Sequence, residues 1–175
     1  MGILRTKRLA TLAVLISVGM ILSYVESLIP VFVAIPGVKL GLANTVAVFA
    51  LYILGASDAA IVSIVRAVLS SLLFGSFTTL LYSTAGALLS VLVMIIARRA
   101  LRLSSVGVSA VGGVFHNLGQ TLAAAAVLRT GAVFFYFPVL IISGVLAGTV
   151  IGTAAGLIVK RLEKILKLQR KDNKR

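Results

Sequence analysis

Long apolar runs, separated by short breaker segments, are the feature that most constrains the fold of this chain. Several runs reach about 20 residues, the length at which an α-helix crosses a hydrocarbon core of about 30 Å. Lipid offers no partner for backbone N–H and C=O groups, so only helices and closed barrels cross it. Barrel strands alternate apolar and polar residues, and these runs do not. The sequence therefore predicts an all-α integral membrane protein.

Composition points to the same class of protein. Of the 175 residues, 60% are hydrophobic and 12% are charged, whereas a soluble domain of this length needs more polar residues to cover its core. The absence of cysteine excludes disulfides, thiol catalysis and thiolate metal sites. The first apolar run ends in Glu26 and Pro30 without a small-residue cleavage site, so we expect a membrane helix rather than a signal peptide.

Breaker residues divide the apolar sequence into six predicted spans. Pro30 ends the first span, and the turn formed by residues 55–58 precedes the third, with Ser57 or Asp58 as the expected N-cap. The predicted spans cover residues 9–29, 40–54, the stretch from the turn to about 77, 79–97, the stretch after the basic loop to about 128, and 134–159. They form a transmembrane domain over 9–159, flanked by a basic N-terminus, 1–8, and a basic amphipathic tail, 160–175.

Lysine and arginine distinguish the two faces of the predicted bundle. Three lie at the N-terminus, three in the loop after the fourth span and eight in the tail, which places 14 of the 17 basic residues on one side. The positive-inside rule assigns that side to the cytoplasm. We therefore expect a six-transmembrane-helix bundle in the plasma membrane with both termini cytoplasmic. The net charge of +13 then serves contact with anionic lipid headgroups rather than with nucleic acid.

Small residues recur at helical spacing on the last and first spans. Such spacing lets a second helix backbone approach closely, and we favour packing within the chain over docking of a partner helix. The stripe on the last span consists of Gly144, Gly148, Gly152 and Gly156, and that on the first of Ala10, Ala13 and Ser17.

Polar side chains within apolar spans are expensive in lipid and mark candidate sites. Arg66 lies about 13 Å into the third span, and His116 lies near the middle of the fifth. With the predicted orientation, such residues collect in the outer half of the bundle, around an outward-facing cavity for a small molecule with an anionic or amide-rich part. The candidate substrate-binding residues are Glu26, Lys39, Asn44, Arg66, Tyr82, His116, Asn117 and Gln120.

Six of the candidates also have a purely structural interpretation. Glu26 and Lys39 would mark the membrane interface, where charges cost little. Arg66 would pair with Glu26 or cap backbone carbonyls. His116, Asn117 and Gln120 would join neighbouring helices by hydrogen bonds.

Patterns that support catalysis are poor. The chain has four acidic residues, of which Glu163 and Asp172 belong to the tail, and one histidine. It contains no H-E-x-x-H, Walker A or glycine-rich dinucleotide motif. We therefore expect neither an enzyme nor a metal or cofactor site.

Five stretches of the sequence resemble the Gx transporter family, which is also labelled heptaprenyl diphosphate synthase component I. They are SYVESLIP (23–30), IPGVKLGLANTVAVFALYILG (35–55), SIVRAVLSSLLFGSF (63–77), LLYSTAGALLSVLVM (80–94) and VFHNLGQ (114–120), within a likeness that covers about residues 8–158. The synthase label does not fit the chemistry of prenyl transfer. That reaction needs aspartate-rich motifs to hold magnesium on a diphosphate, and Asp58 and Asp172 are far apart.

That family in turn is similar to the S-components of energy-coupling factor transporters, six-helix proteins that capture vitamins or their precursors. The resemblance implies lids over residues 31–39 and 75–79, and a small-residue face on the first helix that meets a coupling subunit. The usual A-x-x-x-A motif is broken here, since Ala10 is followed four residues later by Val14. The alternatives are therefore uptake of a vitamin or a cofactor or isoprenoid precursor, energised by separate ATPases, and a non-transporting membrane scaffold in a flavin-, quinone- or isoprenoid-linked assembly.

Overall fold

The structure is a computed structural model that describes residues 2–28 and 41–172, with the side chains of 5–28, 41–162 and 164–165. These residues form a bundle of α-helices without strands, which confirms the all-α prediction for the part described. The helices are α1 (Gly2–Ser27), α2 (Asn44–Ile53), α3 (Ala56–Phe74), α4 (Phe77–Arg99), α5 (Ser105–Leu128) and α6 (Phe137–Asp172), with a short 3₁₀ helix, Ala132–Tyr136, before α6.

Five of these helices, all except α2, are long and apolar enough to cross a membrane, so the chain is a multi-pass membrane protein. The second predicted span, residues 40–54, contains a helix of only 10 residues. At 1.5 Å per residue, α2 extends about 15 Å, half of a typical hydrocarbon core. It is nevertheless among the most buried elements, with Val48 and Ala50 fully enclosed.

The helix starts differ in whether a side chain accepts hydrogen bonds from their free N–H groups. Ser76 caps α4 by accepting a hydrogen bond from the Thr79 N–H at 3.2 Å, and Ser104 caps α5 in the same way. The prediction of Ser57 or Asp58 as the N-cap of α3 is wrong. Helix α3 starts directly after Gly55, whose φ of +107° is a conformation that glycine tolerates, and it has no side-chain cap.

Ionic and aromatic contacts hold together one end of the bundle. Arg8 of α1 donates from Nε to the Asp58 carboxylate of α3 at 3.0 Å and forms an ion pair with it. Arg98 of α4 donates to the backbone carbonyls of Leu51 and Tyr52 at the end of α2, and its guanidinium carbon lies 4.4 Å from the Tyr52 ring centre. The starts of α1, α3 and α5 and the end of α4 meet there. We call this the basic end, after Arg8 and Arg98.

Glycine permits close packing of α6 against α5. A Cβ at Gly148 would lie 2.6 Å from the Cα of Ala110, and one at Gly152 would lie 2.6 Å from the Cα of Val106. Gly144 approaches Val114 in the same way, and Gly156 approaches Ser105. The glycine stripe of α6 therefore faces α5 within this chain.

The small-residue stripe of α1 has a different environment. Helix α1 packs on α2 and α3 through other residues, such as the buried Leu12. Ala10, Ala13 and Ser17 are all exposed, so this face of α1 is free of contacts with the described part of the chain.

Candidate functional site

A cavity of about 190 Å³ lies inside the bundle, with walls from all six helices. It reaches from Met94 and Ser109, about one helical turn from the basic end, past Arg66 at half depth, to Glu26 and Phe74 near the opposite end. An apolar cavity of about 150 Å³ is known to hold benzene, so this volume suits a small organic molecule. Much of the wall is apolar, from residues such as Val48.

Arg66 is the charged group in the deep part of this cavity, and only 8% of its surface is exposed. Its Nη2 donates to Asn44 Oδ1 at 3.2 Å, and its Nη1 donates to Ser23 Oγ at 3.5 Å. Because these partners belong to α2 and α1, the guanidinium lies where three helices converge. Both partners are neutral, so neither cancels its charge.

The aliphatic stem of Arg66 lies against a glycine of α1. A Cβ at Gly19 would be 2.8 Å from the Arg66 Cγ, which is closer than real side chains approach. A glycine at this position therefore makes room for the arginine to extend between α1 and α3.

Glu26 lies on the cavity wall nearer the opposite end. Its Oε1 accepts the backbone N–H of Gly41 at 2.6 Å, which ties the end of α1 to the residues just before α2. Gly41 has a φ of +72°, the left-handed conformation that favours glycine. The charge of Glu26 acts favourably on Arg66, but the described side chains include no direct ion pair between the two.

His116 and Asn117 of α5 are both buried, and both line the cavity. Asn117 donates from Nδ2 to the Leu140 carbonyl at 2.7 Å and lies 3.5 Å from Ser143 Oγ, so its amide nitrogen joins α5 to α6. The interhelical contact predicted for Asn117 is thus present, and the residue stands on the cavity wall as well.

Three of the predicted candidates are not placed in this wall. Tyr82 is half-buried on α4 and does not line the cavity. Gln120 packs instead against Gly86, where an added Cβ would lie 2.8 Å from its Cγ. Lys39 and the first predicted lid, 31–39, lie outside the described residues. Two residues of the second predicted lid, Gly75 and Thr79, line the cavity.

Serine hydroxyls are the part of the wall that the sequence reasoning missed. Ser70 follows Arg66 by four residues on α3, and its Oγ is buried without a hydrogen-bond partner in the described region. Ser90 of α4 donates to the Gly112 carbonyl at 2.8 Å. The helical spacing of these serines around Arg66 and Gly86 was an available signal. The other serines of the wall are Ser23, Ser27, Ser71, Ser83 and Ser109.

Comparison with known proteins identifies a family for this chain. No curated protein matches it, and no solved structure matches it. The family model for heptaprenyl diphosphate synthase component I matches residues 15–158, a range that contains the whole described wall of the cavity. This match covers more than half of the sequence, and we conclude that the chain belongs to the heptaprenyl diphosphate synthase component I family.

Proposed function

We propose that this protein is a membrane-embedded substrate-binding subunit of the S-component type, which takes up a small molecule such as a vitamin or a cofactor or isoprenoid precursor. The observation that carries the proposal is Arg66, an arginine buried at half depth in a cavity of about 190 Å³. An ionisable group at this depth is costly in a membrane, and such groups mark substrate or ion sites.

In this proposal the cavity receives its substrate from outside the cell. The basic end faces the cytoplasm of the plasma membrane, in line with the positive-inside rule. Helix α2 counts as the second of six spans, so both termini are cytoplasmic. Arg66 and Asn44 contact the substrate at about half depth, and His116 and Asn117 line one side.

The wall geometry supports some of the candidate residues and not others. Glu26 stands nearer the opposite end. Lys39 lies outside the described residues and stays a candidate at the outer entrance of the second span. Tyr82 and Gln120 have no position on the wall, so we assign them to helix packing.

Energy for uptake would come from other subunits, because the sequence contains no nucleotide-binding motif. The free face of α1, with Ala10, Ala13 and Ser17, offers a surface for a coupling transmembrane subunit that carries the ATPases. Small residues allow close helix approach in membranes.

The family's name supports a second candidate function. It describes a synthase component, which suits a non-catalytic membrane subunit that holds together an isoprenoid-pathway or a flavin- or quinone-linked assembly. Under this alternative the cavity would have no ligand, and its polar groups would serve only to pack helices.

Native mass spectrometry of the protein released from its membrane tests these alternatives. The proposed function predicts an additional mass of a small molecule on the wild-type chain, lost in Arg66→Gln and retained in Tyr82→Phe, a substitution outside the cavity. A wild-type chain that carries no small molecule but remains bound to other proteins would contradict uptake and support the scaffold function. Elution volume and helical content show whether each variant folds.

A further inference from the structure

We infer that the group bound at Arg66 is an anion, a carboxylate or a tetrahedral oxyanion such as phosphate. The guanidinium holds this anion, and Asn44 orients the guanidinium. This inference rests on the proposed function, because it requires that the cavity binds a small molecule. It adds the chemical class of that molecule and separates an anion anchor, Arg66, from a positioning residue, Asn44.

Few negative charges are available to Arg66. The whole chain has four acidic residues, and the sequence between 29 and 40 contains none. Asp58 is bound by Arg8 at the basic end. Glu163 and Asp172 lie far along α6, beyond the last cavity residue of that helix, Ile151. Glu26 is the remaining carboxylate.

The Glu26 carboxylate is engaged by a backbone N–H group. Its Oε1 accepts the Gly41 N–H at 2.6 Å and, in the described part of the chain, it makes no ion pair with Arg66. A carboxylate engaged in this way attracts Arg66 at a distance without satisfying its N–H groups. Among the described side chains, Glu26 therefore forms no direct ion pair with Arg66.

Arg66 has more N–H donors than its described partners accept. A guanidinium has five N–H donors in a planar fork. The described partners, Asn44 Oδ1 and Ser23 Oγ, take one donor from each terminal nitrogen, at 3.2 and 3.5 Å. The remaining donors suit the bidentate contact that arginine makes with carboxylate and phosphate groups. A buried guanidinium without a counter-ion is strongly disfavoured, so an anion that enters the cavity gains an interaction that a neutral analogue does not.

Paired thiol reagents of opposite charge test this inference without knowledge of the natural ligand. The chain has no cysteine, so Ser70→Cys introduces a single thiol one helical turn from Arg66, on the path from the opposite end. The probes are 2-sulfonatoethyl, 2-carboxyethyl and 2-trimethylammonioethyl methanethiosulfonate, reacted with the purified full-length protein. Each rate is divided by the rate of the same reagent with 2-mercaptoethanol, which corrects for intrinsic reactivity. Any effect of the protein on the reactivity of the thiol itself cancels in the ratio of the anionic to the cationic rate.

We expect the corrected ratio of anionic to cationic rates at the thiol of Ser70→Cys to be at least about tenfold, given the strength of charge interactions in a partly desolvated site. Asn44→Asp in the Ser70→Cys background should bring this ratio down by about tenfold, because it places a carboxylate beside the Arg66 Nη2. This change is nearly isosteric and supplies a counter-ion, so the fold is retained. The matched variant Asn44→Ala adds no charge and should keep the high ratio.

Three results would overturn the inference. A ratio near one at this thiol would mean that the charge of Arg66 is already neutralised within the protein, although the cavity remains accessible and the proposed function stands. A high ratio that Asn44→Asp leaves unchanged would assign the selectivity to another group. If none of the reagents modifies the thiol in the folded protein but all modify it after denaturation, the cavity is closed and the proposed function fails with the inference.

Discussion

At the scale of single residues, the site depends on a small residue that makes room for a charged one. Arg66 extends between α1 and α3 because Gly19 has no side chain at the point where the arginine stem passes. The resulting position brings the guanidinium to Asn44 and Ser23. The glycine is therefore as necessary to the site as the arginine.

Substitution of Gly19 tests this relation. We predict that Gly19→Ala destabilises the protein by about 1–3 kcal/mol, the usual cost of overpacking, because the new methyl group would lie 2.8 Å from the Arg66 Cγ. The midpoint of thermal unfolding in detergent, followed by circular dichroism, measures the effect. Ser17→Ala, on the exposed face of the same helix, is the matched control and should leave the midpoint unchanged. Equal midpoints for the two variants would show that Arg66 has room to move aside.

The sequence identified charged and amide side chains of the cavity better than its serines. Glu26, Asn44 and Arg66 stood out because charged and amide groups in apolar runs require an explanation, and all three line the cavity. The serines were missed because a serine in a membrane helix commonly bonds to its own backbone and carries no distinct signal. Gln120, like Asn44, is an amide in an apolar run, yet tertiary packing places it against Gly86 of α4.

At the scale of helices, the α5–α6 pair depends on contact between the two backbones. A Cβ at Gly148 would meet the backbone of Ser109 and Ala110, which cannot rotate away as a side chain can. We predict that Gly148→Ala lowers stability by about 1–3 kcal/mol or reduces the yield of folded protein.

Gly131→Ala is the control for this prediction, since a Cβ added at Gly131 would meet nothing within 4 Å and the φ of this residue is −81°. Thermal unfolding of the two variants, produced in parallel, gives the comparison. A Gly148→Ala protein as stable as Gly131→Ala would mean that α6 is free to shift away from α5.

Helix α2 is held at both of its ends. Its start lies at the cavity, where Asn44 accepts from Arg66, and its end is bound by Arg98. We predict that Arg98→Ala accelerates hydrogen exchange of the amides in α2 by roughly tenfold or more, since hydrogen bonds from a charged donor are lost. Arg99→Ala removes an exposed neighbour and should not change α2. Equal exchange rates of the α2 amides in the two variants would show that burial alone fixes this helix.

Helix boundaries show where sequence reasoning succeeds and where it fails. The end predicted for the fifth span coincides with the end of α5 at Leu128, because apolar periodicity stops at a polar turn. The start of α3 was misplaced, since Asp58 is engaged by Arg8 from another helix, a contact that no local pattern reveals.

At the scale of the whole molecule, charge and polarity are separated along the bundle. One end carries Arg8, Arg98 and the end of α2, whereas the charged residues of the cavity, Arg66 and Glu26, lie at half depth and toward the other end. Such a division suits a protein that is anchored by its cytoplasmic surface and loaded from outside. The proposed orientation of the bundle in the membrane therefore determines the proposed direction of entry into the cavity, and one experiment tests both.

Sidedness of labelling at a single cysteine in the cavity tests that relation most directly. Ser83→Cys places a thiol on the cavity wall, with Thr130→Cys and Leu101→Cys as exposed references at the opposite and basic ends. Cells and everted membrane vesicles are treated with the membrane-impermeant 2-sulfonatoethyl methanethiosulfonate. We predict that the thiols at positions 83 and 130 react in intact cells and that the thiol at position 101 reacts only in everted vesicles. Reaction at position 83 only in everted vesicles, together with position 101, would contradict a cavity loaded from outside.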